Sequence, residues 1–175
     1  MKTQKGGKNL DFLVKKAQRG DADAFVTLIE QSKSSMYKVA KGFFMNEEDV
    51  ADAIADSVLS AYEHIGSLKN PGYFKTWLIR ILINHCNMCI RERKRCEVIE
   101  FFPEINYIDR ELEIVEFQEM LNAFPEDCRM ILLLYYGEQF TVKEISQILD
   151  MNENTIRSKL RRSRDRLRKT IVESL

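Results

Sequence analysis

Apolar residues recur every three or four positions through almost the whole chain, and no window keeps the alternation of a half-buried strand. This spacing predicts an all-α fold with helices over about 10–18, 22–32, 34–44, 47–65, 71–95, 111–123, 127–137, 141–150 and 153–173. Asn70-Pro71-Gly72 interrupts the pattern and puts Pro71 at a helix start. Gly137 fits a helix C-terminal cap. Between Cys96 and Arg110 the periodicity fails in a stretch of acids, β-branched residues and a proline. The expected organisation is therefore two helical domains, residues 1–95 and 111–175, joined by an acidic linker over 96–110. Each domain is large enough to enclose one core.

The stretch TVKEISQILDMNENTIRSKLRRSRDRLRK, residues 141–169, carries the most information. Thr141 and Glu144 have the spacing of a capping box, so a helix should open at Val142. Ile145, Ile148 and Leu149 then share one face. Asp150-Met151-Asn152 breaks the pattern, with Asn152 as N-cap of the next helix. In that helix Ile156, Leu160, Leu167 and Ile171 line one side, leaving Asn154, Arg157, Ser158, Arg161 and Arg162 outward. This is the layout of a helix-turn-helix, in which the second helix enters the major groove. From Asn154 to Leu175 eight Lys or Arg stand against Asp165 and Glu173, a net charge of +6. A merely solvated helix would interleave glutamates with these cations; phosphate neutralisation explains the excess better.

The formal net charge of zero conceals strong segregation. Asn46 to His64 holds six acids and no Lys or Arg, and residues 97–126 hold nine acids against Arg110. Alternating acidic and basic blocks point to both a nucleic-acid face and a basic protein partner. The longest apolar run, Met130 to Tyr136, is far short of the roughly 18 residues of a membrane span. The start, MKTQKGGKNLDF, has no apolar stretch of a signal peptide, which predicts a cytoplasmic protein.

Two blocks of the first domain complete the pattern. DVADAIADSVLSAY, residues 49–62, is amphipathic, with Val50, Ala53, Ile54, Val58 and Ala61 inward and Asp49, Asp52 and Asp56 in an acidic stripe. Asn46 caps its start, and the acids beside it favour the positive end of the helix dipole. GYFKTWLIRILINHCNMCIRERKR, residues 72–95, mixes aromatics with cations, as unpaired bases on a charged backbone require. Phe74, Trp77, Leu78 and Ile81 are equally consistent with plain core.

These blocks, with QRGDADAF at 18–25, resemble in order the conserved regions of the sigma-70 family of bacterial transcription initiation factors. The two-domain organisation is similar to its extracytoplasmic-function (group IV) subgroup, and the resemblance runs over about residues 10–172. It implies a non-enzymatic promoter-recognition subunit with no cofactor, no metal and no small-molecule substrate. Its implied partners are core RNA polymerase, promoter DNA and an anti-sigma factor, free or membrane-anchored. Carried over by position, Asp49, Asp52, Asp56, Ser57 and Tyr62 would bind core polymerase. The loop Ser67 to Tyr73 would hold a base flipped from the −10 element, with Lys69, Asn70, Tyr73, Lys75, Trp77, Arg80, Asn84 and Arg91 on that strand. Asn154, Thr155, Arg157, Ser158, Lys159, Arg161 and Arg162 would meet the −35 element, with Arg157 and Arg161 best placed for base edges or phosphates. The linker would pass near the template strand.

The chain departs from the family pattern at Ala55 and Ser60, where Gln and Arg are usual, and at His85, Cys86, Met88 and Cys89. His85, Cys86, Cys89 and Cys96 raise the alternative of a metal or redox site, but cysteines packed as small apolar residues fit one continuous helix better. A second alternative is a stand-alone helix-turn-helix regulator, in which the acidic stripe and the aromatic–basic block have no role.

Overall fold

The computed structural model describes residues 4–96 and 124–173. The expected helix at 111–123 and the linker beyond Cys96 lie outside the described residues. The chain divides into two compact units, Met1–Val98 and Ile99–Leu175. Among the described residues all regular structure is helical.

The first unit packs four helices: α1 (Gln4–Ala17), α2 (Ala22–Lys41), α3 (Glu47–His64) and α4 (Phe74–Cys96). α1 opens earlier than expected, because the polar turns before Leu10 carry no periodic signal. α2 is one helix where two were expected, over 22–32 and 34–44. The polar run Ser32-Lys33-Ser34-Ser35 reads as a break in sequence. In the fold Ser32 is buried, and its hydroxyl donates to the Leu28 carbonyl at 2.8 Å, so the helix passes through without an unpaired group. Asp21 caps α2 by accepting from the Ala24 amide at 2.9 Å, and that bond holds its carboxyl below the usual value. Asn46 caps α3 in the same way, accepting from the Glu48 amide at 2.9 Å.

The core of this unit is built on Val14, Leu28, Met36, Val39, Phe74, Leu78, Ile79 and Leu82, all at most 1% exposed. α3 contributes only small side chains to its buried line: Val50, Ala53, Ser57 and Ala61. Such residues at i, i+3, i+7 and i+11 let its backbone lie close to α2 and α4, against which it packs. Between α3 and α4 the chain makes two 3₁₀ turns, Ile65–Ser67 and Pro71–Tyr73. Pro71 takes the first position of the second turn, and Asn70 caps it by accepting from the Gly72 amide at 3.0 Å.

The second unit contains α5 (Glu126–Leu132), a π-helical turn (Leu133–Gly137), α6 (Val142–Leu149) and α7 (Glu153–Glu173). Its core gathers Phe124, Ile131, Leu134, Phe140, Ile145, Ile148, Ile156 and Leu160. Gly137 is not the C-terminal cap expected of it; it is the last residue of the turn, and Glu138 is the cap. The π turn closes through the Glu138 amide on the Leu133 carbonyl at 3.0 Å, and the left-handed residue is Gln139, with φ 60°. The Gln139 amide side chain donates to the Tyr136 carbonyl at 2.7 Å, which ties down that strained position.

Candidate nucleic-acid interface

The helix-turn-helix is assembled by local hydrogen bonds. The Thr141 hydroxyl accepts from the Glu144 amide at 3.3 Å, while the Glu144 carboxylate accepts from the Thr141 amide at 2.8 Å. The expected capping box is therefore complete at both ends. Asp150 ends α6 in the left-handed conformation, φ 53°, which a short polar side chain tolerates. The Ser146 hydroxyl donates to the Met151 carbonyl at 2.6 Å and locks the turn from behind. Asn152 then accepts from the Asn154 amide at 2.8 Å and starts α7. A turn so pinned fixes the angle at which α7 leaves α6.

α7 buries Ile156, Leu160 and Ser163 and turns the opposite side outward. Leu167 and Ile171 lie outside the described side chains. Asn154, Thr155, Arg157, Arg161 and Arg162 are exposed, and Ser158 and Lys159 are half-buried. Asn154, Thr155, Ser158, Lys159 and Arg162 together line a shallow hollow of about 290 Å³. Arg157 is held by neighbours on its own helix. Its guanidinium meets the Glu153 carboxylate at 2.6 Å and the Asn154 side-chain oxygen at 3.3 Å. It sits toward the flank of the outward face, whose middle is held by Asn154, Ser158, Arg161 and Arg162.

In the first unit, α4 turns Arg80, Asn84 and Arg91 to solvent along one line. Trp77 is half-buried on the same side, with its ring 6.0 Å from that of Phe74. Phe74 itself is core, 1% exposed. Lys69, Asn70 and Tyr73 are exposed on the turn that leads into α4, and Lys75 is half-buried beside them. The loop and the helix thus present one polar and aromatic strip.

The acidic stripe of α3 is altered by the fold. Asp52 and Asp56 are exposed as expected. Asp49 is instead half-buried and ion-paired to Arg93, whose second nitrogen reaches it at 2.8 Å. Arg93 also lies over the Phe44 ring at 5.6 Å. The guanidinium holds the Asp49 carboxyl below its usual range, against the opposing effect of partial burial. Ser57 is fully buried, and its hydroxyl donates to the Ala53 carbonyl at 2.6 Å. It is a packing residue and presents nothing to a partner. Tyr62 is 51% exposed, with its ring edge against Phe25 at 5.1 Å.

Two family models match this chain in the expected order. Sigma-70 region 2 matches residues 28–96, and sigma-70 region 4 matches residues 114–167. Together they span well over half of its length. The chain belongs to the sigma-70 family. It is similar to the RNA polymerase sigma factor SigV of Bacillus subtilis, at 28% identity over 146 residues, covering 79% of this chain and 85% of that protein. It is also similar to the ECF RNA polymerase sigma factor SigW of the same organism, at 25% identity, with 90% and 94% covered. The ECF RNA polymerase sigma-E factor of Haemophilus influenzae is 26% identical, with 91% and 93% covered. These likenesses place it in the extracytoplasmic-function subgroup. Two solved structures share the fold. One is CnrH in complex with the cytosolic domain of CnrY, with a TM-score of 0.71 at 20% identity, covering 95% of this chain and 99% of that one. The other is RpoE with the anti-sigma factor NepR from Bartonella quintana, with a TM-score of 0.68 at 22% identity, covering 84% and 96%.

Two residues of this sigma factor escaped the sequence reading. Leu59 is 59% exposed on α3, between Asp52, Ala55, Asp56 and Tyr62 on the open face. Met88 is 47% exposed on α4, in line with Asn84 and Arg91. Their only signal was spacing: each falls off the buried stripe of its helix despite being apolar. Cys86 is a packing residue. Cys86 is fully buried, and burial pushes its thiol up to about 12, which removes thiolate character at neutral pH. Burial raises Cys89 as well. Among the described residues no group of three or more His, Cys, Asp or Glu is arranged to hold a metal ion. Cys86 should therefore stay unlabelled by iodoacetamide at about pH 8 in the native protein and label on unfolding, read by mass spectrometry. Rapid native labelling would show that the helix opens there.

Proposed function

We propose that this sigma factor joins core RNA polymerase through α3 and reads its promoters through two separate surfaces. The observation that carries the proposal is the pairing, in one chain, of an acidic helix face with an arginine-rich helix-turn-helix. Asp52 and Asp56 meet a basic surface of the polymerase, where complementary charge steers the encounter. Residues 1–95 form the part that binds polymerase and the −10 strand, using Lys69, Asn70, Tyr73, Lys75, Trp77, Arg80, Asn84 and Arg91. Residues 111–175 form the part that binds the −35 duplex, and residues 96–110 link the two. Either contact alone is modest; joined on one polymerase they act as a bivalent reader, sensitive to promoter spacing. The chain works in the cytoplasm. No described helix is long and apolar enough to cross a membrane, which is compatible with that assignment. An anti-sigma factor keeps it silent by covering these faces; the likeness to a sigma factor solved with its anti-sigma factor supports this.

Run-off transcription from a genomic fragment library, with core polymerase from the same cell, tests the reading. Discrete transcripts should appear only when this chain is added, and their upstream regions should share two elements at fixed spacing. Adding the cognate anti-sigma factor should abolish them. Sequence-specific DNA binding by the chain alone, with no transcripts from an active core preparation, would instead identify a stand-alone regulator.

A further inference from the structure

The loop between α3 and α4 is held in place from outside the segment that the region 2 model matches. That match begins at residue 28, whereas the residue that grips the loop is Gln18, in the turn between α1 and α2. Its carboxamide nitrogen donates to the Ile65 carbonyl at 3.0 Å and to the Leu68 carbonyl at 2.8 Å. Both hydrogens of one amide are thereby used to join the carbonyl of the first residue of the first 3₁₀ turn to that of its C-cap. Ile65 and Leu68 plug the core at 6% and 8% exposure, so side chains anchor the turn below and Gln18 fixes its backbone. The rest of the loop is braced too. α1 packs on the turn Pro71–Tyr73, and Asp11 of that helix lies beside Gly72. Lys69, Asn70 and Tyr73 project from this held frame into solvent.

We infer that Gln18 is a positioning residue for −10 strand capture: its two hydrogen bonds preset the loop that receives an unpaired base. The inference rests on the promoter reading proposed above. Extruding a base from its stack is costly, and a loop that must also order itself on binding adds that entropy to the cost. A loop fixed beforehand avoids it. The role requires an amide or other double donor; a carboxylate at position 18 would set two carbonyl oxygens against an anion.

The test uses holoenzyme assembled from the full chain and a labelled single-stranded −10 oligonucleotide from a promoter found by library transcription. Gln18→Glu should weaken binding of that oligonucleotide about tenfold, the loss expected for one to two hydrogen bonds. Binding of a scrambled strand and assembly with core polymerase should be unchanged. Gln18→Lys, which keeps donors within reach of both carbonyls, should recover most of the affinity. Wild-type affinity in Gln18→Glu would overturn the inference. So would an equal loss on the scrambled strand, or a parallel loss of core assembly, either of which would mark a general folding role. Failure of the wild-type chain to direct any transcript would instead defeat the underlying promoter reading.

Discussion

Leu59→Asp should abolish assembly with core RNA polymerase while leaving the chain folded. Leu59 is 59% exposed, so a carboxylate there remains in water in the free protein and costs the fold little. On the α3 face proposed to meet polymerase the same position is an exposed apolar residue, with Asp56 and Tyr62 one turn to either side. Apolar anchors ringed by polar groups carry most of an interface's energy, and losing one costs about 2–4 kcal/mol. Burying an unpaired carboxylate adds to that cost. The expected result is a loss of at least about a hundredfold in core affinity, since each 1.4 kcal/mol is about tenfold. Tyr62→Ala should lose less, because its ring edge is already engaged with Phe25. Surface plasmon resonance against core polymerase measures both, with thermal melting as the control for folding. Wild-type affinity in Leu59→Asp would remove α3 from the interface.

Arg161→Ala should damage −35 recognition more than Arg157→Ala. Arg161 is exposed on α7, nearer the middle of its outward face than Arg157. Arg157 must first give up its contact with Glu153 at 2.6 Å before it can meet DNA. A bidentate arginine contact to guanine is worth about 1–3 kcal/mol of discrimination. Arg161→Ala should accordingly weaken binding about tenfold to a hundredfold and flatten the preference at one base pair. Arg157→Ala should cost less, about threefold, since a cation at the flank of that face adds charge toward phosphate rather than base readout. Competitive binding of holoenzyme to a randomised −35 library separates the cases. A uniform loss across all sequences would mark Arg161 as a phosphate contact, and a larger loss at Arg157 would reverse the assignment.

The parts of this molecule written over three or four residues were legible in its sequence. The capping box at Thr141 and Glu144, the caps at Asn46 and Asn152 and the turn at Asn70-Pro71-Gly72 all formed as their chemistry required. Each depends on side chains meeting backbone groups within the same turn, so no distant partner can override it. The all-α class followed from periodicity, and the family from the order of its blocks. Tertiary structure decided what those blocks expose. The fate of Asp49 was set by Arg93, 44 residues away, which the ring of Phe44 helps to hold. The break expected near Ser32 vanished because the Leu28 carbonyl could absorb its hydroxyl. On α3 the polarity rule reversed: Ser57 went inside, where only a small side chain lets neighbouring helices approach, and Leu59 was left outside. Periodicity names two faces of a helix, but contact with other helices decides which residues at their edges are covered. For the same reason nothing set Gln18 apart from its neighbours in QRGDADAF until the fold brought two carbonyls of a distant loop within its reach.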